Sequence, residues 1–229
     1  MRNPIAIAAA LLLAAAPLHA QDDAAALLRK AATAMGTENL KTLRYTGSGT
    51  GAQFGQAFHP TKPWPKLNYP SYERLLDYPA QASVEIVTRS RAEPTGGGAV
   101  PLTGEARAGG AVNGAFAWNL AGPTLAATPR QPAREARLHD LWITPHGAVM
   151  AAARNHAKVR FVTERGRELA AVSFTESGIL SATVYFNDGY LVERVESRMP
   201  DPVLGDTPVV TTYSDYRAFG GVWFPMRIR

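Results

Sequence analysis

The sequence of 229 residues contains no cysteine. A disulfide framework, a cysteine nucleophile and a lipid anchor attached through cysteine are therefore excluded. Without covalent cross-links, the folded chain depends on the burial of a hydrophobic core. A chain of this length can bury enough apolar surface for one sizeable domain.

Long runs of charge are also missing. The chain has 24 Lys and Arg residues against 19 Asp and Glu residues, a formal net charge of +5, and no run of five or more basic residues. Scattered basic residues favour a mildly basic soluble surface over a patch for nucleic acid or anionic membrane. We therefore expect no nucleic acid partner.

Motifs for catalysis and metal binding are absent too. The sequence has no His-x-His-x-Asp-His, His-Glu-x-x-His, Gly-x-Ser-x-Gly or Ser-x-x-Lys pattern. The histidines after the first twenty residues are His59, His139, His146 and His156. His139 and Asp140 are not expected to form a dyad, because neighbouring side chains on a helix point about 100° apart. We predict no catalytic residue, no metal site and no cofactor.

The first twenty residues, MRNPIAIAAALLLAAAPLHA, are typical of a secretory signal peptide. Arg2 supplies the positive start, residues 5–16 are almost wholly apolar, and Pro17 precedes a small residue at the cut. The apolar run is too short for a membrane span, and no transmembrane segment is expected. The sequence therefore predicts export, to the periplasm or outside the cell, with Gln21 as the mature N-terminus.

The rest of the chain predicts an α+β domain. Residues 22–36, with aspartates at the start and a terminal glycine, predict one helix; residues 134–143 predict a second, and the Thr144-Pro145 cap begins a third. From Lys158 onward, strands of six to ten residues alternate with turn signals such as Asn-Asp-Gly at 187–189. This pattern favours one curved antiparallel sheet with helices covering one face.

Two earlier segments and the final hairpin carry further predictions. Residues 59–70 contain four prolines and predict an irregular, extended crossover. The stretch AVNGAFAWNL, residues 111–120, predicts a single strand ending at Trp118. In the final hairpin, alternation places Tyr213, Asp215 and Arg217 on one face. Pro225 lacks an N–H donor and is expected on an edge strand or beside a bulge.

Apolar side chains of the predicted sheet are the candidate binding residues. If helices cover the sheet incompletely, the space between them is an apolar cavity that fits a lipid-like ligand; if they cover it fully, the same residues form a closed core. The candidate lining residues are Phe161, Val172, Phe174, Val184, Phe186, Tyr213 and Trp223.

The last two strands carry a family resemblance. Tyr213-Ser214-Asp215-Tyr216-Arg217, Gly220-Gly221-Val222 and Phe224-Pro225 resemble a "YSDYR…GGVxFPxRI" hairpin of exported bacterial proteins. That hairpin occurs in domains similar to the LolA/LolB lipoprotein-carrier superfamily. The stretches at 35–50, 62–78, 142–152 and 190–209 look like the region that precedes a metallo-β-lactamase-fold domain in some secreted hydrolases.

The resemblance implies an open half-barrel with helices covering its concave face, formed by residues 21–229 and truncated at the C-terminus. It carries no catalytic residue over, because the zinc ligands of such hydrolases lie in the downstream domain. Three functions stay open. They are a non-catalytic exported domain that binds an apolar ligand or assists a hydrolase, a fragment of a zinc hydrolase, and a periplasmic protein-interaction module. Whether the parent protein is an enzyme also stays open.

Overall fold

The computed structural model describes residues 18–57, 59–93, 104–176, 178–201 and 205–229, with side chains from Asp23 onward. Residues 1–17 of the predicted signal peptide lie outside the described residues. The helices are α1 Leu18–Met35, α2 Arg134–Trp142, preceded by a 3-10 turn at Gln131–Ala133, and α3 Pro145–Arg154. The first six strands are β1 Thr42–Ala52, β2 Lys66–Asp77, β3 Ala82–Arg91, β4 Ala106–Asn113, β5 Phe116–Ala121 and β6 Ala126–Pro129. The last six are β7 Lys158–Glu164, β8 Arg167–Glu176, β9 Leu180–Phe186, β10 Val192–Asp201, β11 Gly205–Phe219 and β12 Val222–Ile228.

The strands form two antiparallel sheets rather than the one curved sheet predicted. The first sheet has the order β1 to β6 and the second has the order β12 to β7, so strands that follow each other in sequence also pair. Helices α2 and α3 separate β6 from β7 along the chain. The succession of hairpins is broken there, and β7 begins a second meander. Neither sheet closes within the described residues.

Local signals predicted the ends of the helices and the starts of α2 and α3, but α1 begins at Leu18, four residues before the predicted start at residue 22, so its two aspartates lie within the helix. Gly36 follows α1 with a positive φ of 71°, a left-handed conformation that favours glycine at a helix end. Thr144 caps α3, since its hydroxyl oxygen accepts the N–H of Gly147 at 3.2 Å, and Pro145 takes the first helical position. None of the described helices is long and apolar enough to cross a membrane.

Two strand assignments differ from the predictions. Residues 66–70 belong to β2, although Pro70 lies among them. The pairing of β2 with β3 shifts between Asn68 and Ser71, and a proline is tolerated at such an irregularity because no regular ladder bond is needed there. Residues 111–120 form parts of two strands, since Gly114, with φ of 53°, turns the chain between β4 and β5.

The final hairpin lies where the sequence predicted it, but the prediction of which side chains share a face was wrong. Asp215 has a positive φ of 58°, which interrupts the strand's alternation. Tyr213 and Tyr216 therefore both pack against the core, and Asp215 pairs with Arg227 at 3.4 Å instead of sharing a face with Arg217. The turn at 220–221 is confirmed by the two positive-φ glycines. The edge position expected for Pro225 is confirmed as well, since β12 ends the second sheet.

The core lies between the helices and the two sheets. Helix α3 is buried along most of its length and contacts α1, α2, β8 and β10. Helix α2 contacts β3, β4 and β5 of the first sheet. The rings of Tyr45 in β1 and Phe224 in β12 meet with centroids 4.8 Å apart. The two sheets thus approach each other at these edge strands while the helices fill the space between them.

Candidate functional site

Five of the seven predicted pocket residues lie together in one apolar cluster, each at most 5% exposed. They are Val172, Phe174, Val184, Phe186 and Tyr213. They come from β8, β9 and β11, where the two-residue period of a strand turns alternate side chains toward the helices. Apolar residues of α1 and α3 complete the cluster. Ligand binding by these residues stays a prediction.

The other two predicted residues lie at the two edges of the same sheet. Phe161 on β7 is 61% exposed and Trp223 on β12 is 41% exposed. Val159, two residues before Phe161, packs against the cluster. Because alternate residues share a face, Phe161 continues the helix-facing side beyond the part that helices cover. Trp223 contacts the interior through its backbone carbonyl, which bonds to His146.

Helix α3 contributes three alanines and one valine to the cluster: Ala148, Val149, Ala151 and Ala152. Its Gly147 is buried beside Tyr78 and the Thr144 cap. A Cβ atom on Gly147 would lie 2.6 Å from the Thr144 hydroxyl, so only glycine fits. The Thr144 hydroxyl also bonds to Tyr78 Oη at 3.1 Å, and Tyr213 Oη donates to the carbonyl of Ile143 at 2.6 Å. These bonds hold the corner between α2 and α3 against both sheets.

His146 is a fully buried histidine of α3. Its Nε2 donates to the carbonyl of Trp223 at 2.9 Å, and its ring stacks on Phe224 with centroids 6.1 Å apart. Its Nδ1 is buried without a hydrogen-bond partner among the described residues. Burial lowers the pKa of His146 to about 4, while the hydrogen bond to Trp223 acts in the opposite direction. The ring is therefore neutral at physiological pH.

This histidine makes stability depend on pH. Because the pKa in the folded chain lies below its ordinary value, the unfolded chain binds the proton more readily. Stability is complete above the ordinary value of about 6.5 and falls as pH drops toward 4, by about 2–3 kcal/mol between pH 7.5 and 4.5. Urea unfolding at the two pH values measures this loss. His146→Gln should remove most of the loss, and His59→Gln, on the surface, should retain it; an unchanged loss in His146→Gln would contradict the assignment.

Trp142 is the largest fully buried side chain of the cluster, at 1% exposed. The guanidinium of Arg154 lies 3.8 Å from the ring centroid, which favours a cation–π contact. The indole Nε1 is buried without a hydrogen-bond partner among the described residues. Trp142 and His146 thus bring two unpaired polar atoms into an otherwise apolar interior. Buried polar atoms are normally paired, so these two are unusual.

His139 contacts two polar side chains. Its Nδ1 lies 3.4 Å from Oδ1 of Asp140, and its Nε2 lies 2.9 Å from Oγ of Ser197. The absence of a catalytic dyad at His139 and Asp140 stays a prediction, since the flexible ends of neighbouring side chains can approach without forming one. His139 and Ser197 are both buried between α2 and β10. This contact therefore ties the helix to the strand, and we assign it no catalytic role.

A groove of about 580 Å³ lies on the other face of the second sheet. Hydroxyl pairs cross it at 2.9 Å, Ser173 with Thr183 and Thr175 with Ser181. Glu196 and Arg198 also line it, and Phe174 is the one predicted pocket residue among its lining. Most of its lining residues are polar, but Phe174, Pro208 and Val210 give it apolar surface as well. The alternating Ser and Thr residues of β8 and β9 are the sequence signal that could have revealed it.

Three of the described histidines have separate partners. His139 bonds to Ser197 and His146 to Trp223, while His59 contacts Thr61 on the surface. Across the described ranges, no three His, Cys, Asp or Glu side chains are grouped so that they hold a metal ion.

The fold and the candidate site define a class of antiparallel, two-sheet proteins whose helices contact an apolar cluster. The chain matches no protein-family model and no curated protein sequence. A solved structure of a LolA superfamily protein from Nitrosomonas europaea is similar, with a TM-score of 0.47 and 12% identity. The match covers 90% of this chain and 83% of that chain. A likeness of this size decides neither the family nor the function of this chain.

Proposed function

We propose that this protein binds an apolar, lipid-like ligand between its second sheet and the helices α1 and α3, without catalysing a reaction. The observation that carries the proposal is the difference in side-chain size between the second sheet and α3. Large apolar side chains of β8 and β9 share one cluster with α3, whose alanines Ala148, Ala151 and Ala152 are buried there beside the larger Val149. An acyl chain that displaces such a helix keeps the apolar face of the sheet covered.

The energetics favour an apolar occupant. A fully buried Val, Leu or Phe side chain contributes about 1.5–3 kcal/mol relative to its exposed state. Exposing the apolar face of β8 and β9 to water would forfeit several such contributions. An acyl chain in the place of the helix would restore most of them, whereas a polar ligand would not. The alanines of α3 contribute little apolar area each, whereas Val149 and Met150 also pack against the cluster, so the ligand must replace the contacts of these two residues when the helix leaves the sheet.

The exposed predicted residues fit the rims of such a site. Phe161 extends the helix-facing side at edge strand β7, and Trp223 lies at edge strand β12. Since neither described sheet closes, an acyl chain reaches the interior across these edges. In this proposal the helices cover the concave face of a half-barrel, and all seven predicted residues contact the ligand or its path.

Fluorescence quenching of Trp142 tests the proposal. A variant with Trp64, Trp118 and Trp223 replaced by phenylalanine leaves Trp142 as the reporter in the cluster. Brominated decanol quenches tryptophan only at short range, so saturable quenching of Trp142 is expected. A second variant that retains Trp223 alone reports binding at the rim. Unchanged Trp142 fluorescence at saturating ligand would refute the proposed site.

Export to the periplasm belongs to the same proposal and depends on residues 1–20. Helix α1 begins at Leu18 and thus includes the predicted cleavage position before Gln21. The mass of the protein recovered from the periplasm decides this part: a product beginning at Gln21 supports export through a cleaved signal peptide.

A partner protein is a second candidate ligand, and edge strand β12 favours it. Trp223, Met226 and Ile228 of this strand are each more than 40% exposed. An edge strand with exposed apolar side chains can pair with a strand of another protein. The partner suggested by the sequence resemblance is a downstream metallo-hydrolase domain, and this association stays a proposal. A pull-down with such a domain, compared between the wild type and a Trp223→Lys variant, distinguishes specific binding from none.

A further inference from the structure

Arg74 is a buried arginine with few partners. It lies in β2 opposite Glu85 and is 9% exposed. Its Nη1 lies 3.8 Å from Oε2 of Glu85, and its Nε is buried without a hydrogen-bond partner among the described residues. A guanidinium has five N–H donors, and burying one is costly unless those donors are bonded. The Nε donor of Arg74 is therefore unbonded among the described residues, and its Nη1 has only the distant Glu85 carboxylate.

The nearby acidic groups are engaged elsewhere. Oε2 of Glu85 accepts the Tyr72 hydroxyl at 2.6 Å, and the Glu85 side chain is 40% exposed. Oδ1 of Asp140 is the atom that approaches His139. Burial lowers the pKa of Arg74, but the surrounding hydroxyl and carboxyl groups together raise it above its ordinary value. The buried guanidinium thus stays charged while its hydrogen bonds are incomplete.

The neighbouring arginine of α2 does not share this feature. Arg137 donates to the carbonyls of Ala111 and Trp118 and to Oδ1 of Asn119. Gly110 leaves the space for its guanidinium, since a Cβ there would lie 2.6 Å from Arg137 Nε. Arg137 is therefore a structural residue that joins α2 to β4 and β5.

A second guanidinium with an unpaired atom lies on the same face of the sheet. In β3, Glu85, Val87 and Arg89 alternate toward the helix-facing side, and the pairing of β3 with β4 is regular. The Nε of Arg89 is buried without a hydrogen-bond partner among the described residues. Arg89 lies about 13 Å along the strand from Glu85, at about 3.3 Å per residue. It raises the positive potential of this face.

The polar site adjoins the apolar cluster directly. Tyr72 stacks on Tyr45 with centroids 5.9 Å apart, and Tyr45 packs against the cluster. Leu76, two residues beyond Arg74 on the same face, is a fully buried member of that cluster. Arg74 therefore lies where the apolar interior meets a cationic surface.

We infer that Arg74 binds the anionic head group, a carboxylate or phosphate, of an amphiphile whose apolar part lies in the neighbouring cluster. The placement of the ligand's apolar part in the cluster rests on the proposed function. An oxyanion accepts two parallel N–H bonds from one guanidinium, and such charge-assisted bonds are about twice as strong as neutral ones. An anion at Arg74 would supply the acceptors that Glu85 and Asp140 do not. The inferred ligand class is thus fatty acids or phospholipids, whose head groups share this chemistry.

Displacement of the neutral dye N-phenylnaphthylamine tests the head group. Decanoate, decyl phosphate and decanol carry equal chains, and inorganic phosphate carries none. The wild type is expected to bind each of the two anionic amphiphiles about tenfold or more tightly than decanol. The ratio of decanoate to decyl phosphate distinguishes a carboxylate site from a phosphate site.

Variants assign the preference to Arg74. Arg74→Gln should reduce binding of the anionic amphiphiles about tenfold and leave decanol unchanged. Arg74→Lys keeps the positive charge but loses the two parallel N–H donors of the guanidinium. We therefore expect a preference for anionic amphiphiles between those of the wild type and Arg74→Gln. Arg44→Gln is the matched control, because Arg44 pairs with Glu73 at 2.7 Å on the neighbouring strand and its side chain is 68% exposed. If Arg74→Gln fails to fold, Arg74→Lys makes the assignment, and a folded Arg74→Lys variant that keeps the full wild-type preference would overturn the role of Arg74.

The outcomes separate the inference from the proposed function. Equal affinity of the wild type for decanol and decanoate would overturn the head-group inference and retain the apolar site. Binding of inorganic phosphate that depends on Arg74, without any gain from the acyl chain, would support the anion site and overturn the apolar function. Failure of all four probes to bind would overturn both.

Discussion

Gly36→Ala is expected to lower the free energy of unfolding by about 3 kcal/mol. Gly36 ends α1 with φ of 71°, and a left-handed conformation costs an L-residue about 1–2 kcal/mol. A Cβ atom would also lie 2.2 Å from the carbonyl oxygen of Gly221, a backbone atom that cannot move aside easily. Alanine would therefore force the end of α1 away from the β11–β12 turn. Urea unfolding of the variant measures the loss.

Gly55→Ala provides the control for this substitution. Gly55 has nearly the same φ, 70°, but no heavy atom lies within 4 Å of the added Cβ. Only the backbone penalty of about 1–2 kcal/mol applies there. Equal losses in the two variants would contradict the close approach between Gly36 and Gly221.

Phe186→Ala is expected to destabilise the protein by about 3–5 kcal/mol. Phe186 is 2% exposed and lies in the cluster beneath the helices. Truncation removes a large apolar surface and leaves a cavity that the neighbouring strands cannot fill. Thermal and urea unfolding both report this loss.

The same substitution at the edge of the sheet is the matched control. Phe161 is 61% exposed, so Phe161→Ala should change stability by no more than about 0.5 kcal/mol. If Phe161 lies at the rim of a ligand site, its variant should weaken amphiphile binding while leaving stability unchanged. A large loss of stability on truncating Phe161 would show that helices cover this end of the sheet.

Local signals predicted the helices and most hairpins because their causes lie within a few residues. Thr144 and Pro145 cap α3 through contacts inside one turn. The turn at 220–221 needs residues that tolerate positive φ, and two glycines supply them. The turn at 187–189 forms where the Asn-Asp-Gly signal predicts it, but the positive φ falls on the following residue, Tyr190. The short turn at Gly114 has the same chemistry, but the apolar residues on both sides of it favoured one continuous strand.

The arrangement of the strands depends on contacts distant in sequence and was predicted less well. Pro70 is accommodated in β2 by an irregular pairing that no local pattern reveals. The unusual backbone of Asp215 turns Tyr216 toward the core, where alternation had placed it on the opposite face. The division into two sheets likewise follows from where α2 and α3 pack.

The candidate site was predicted in its apolar half only. Strand alternation identified Val172, Val184 and Phe186, since burial of one face follows from the pattern itself. Arg74 was overlooked because an arginine in a sequence is ordinarily a surface residue. Arg74 becomes a candidate because it is buried opposite Glu85 and its Nε has no hydrogen-bond partner among the described residues. Only the folded chain shows these two features.

The measurement that tests the central claim most directly is the fluorescence of Trp142, as the sole tryptophan, during titration with brominated decanol. Saturable quenching of Trp142 that exceeds the quenching of a variant retaining Trp223 alone is the predicted result, because the acyl chain would lie in the cluster. Quenching of Trp223 without quenching of Trp142 would contradict the claim and restrict apolar binding to the surface.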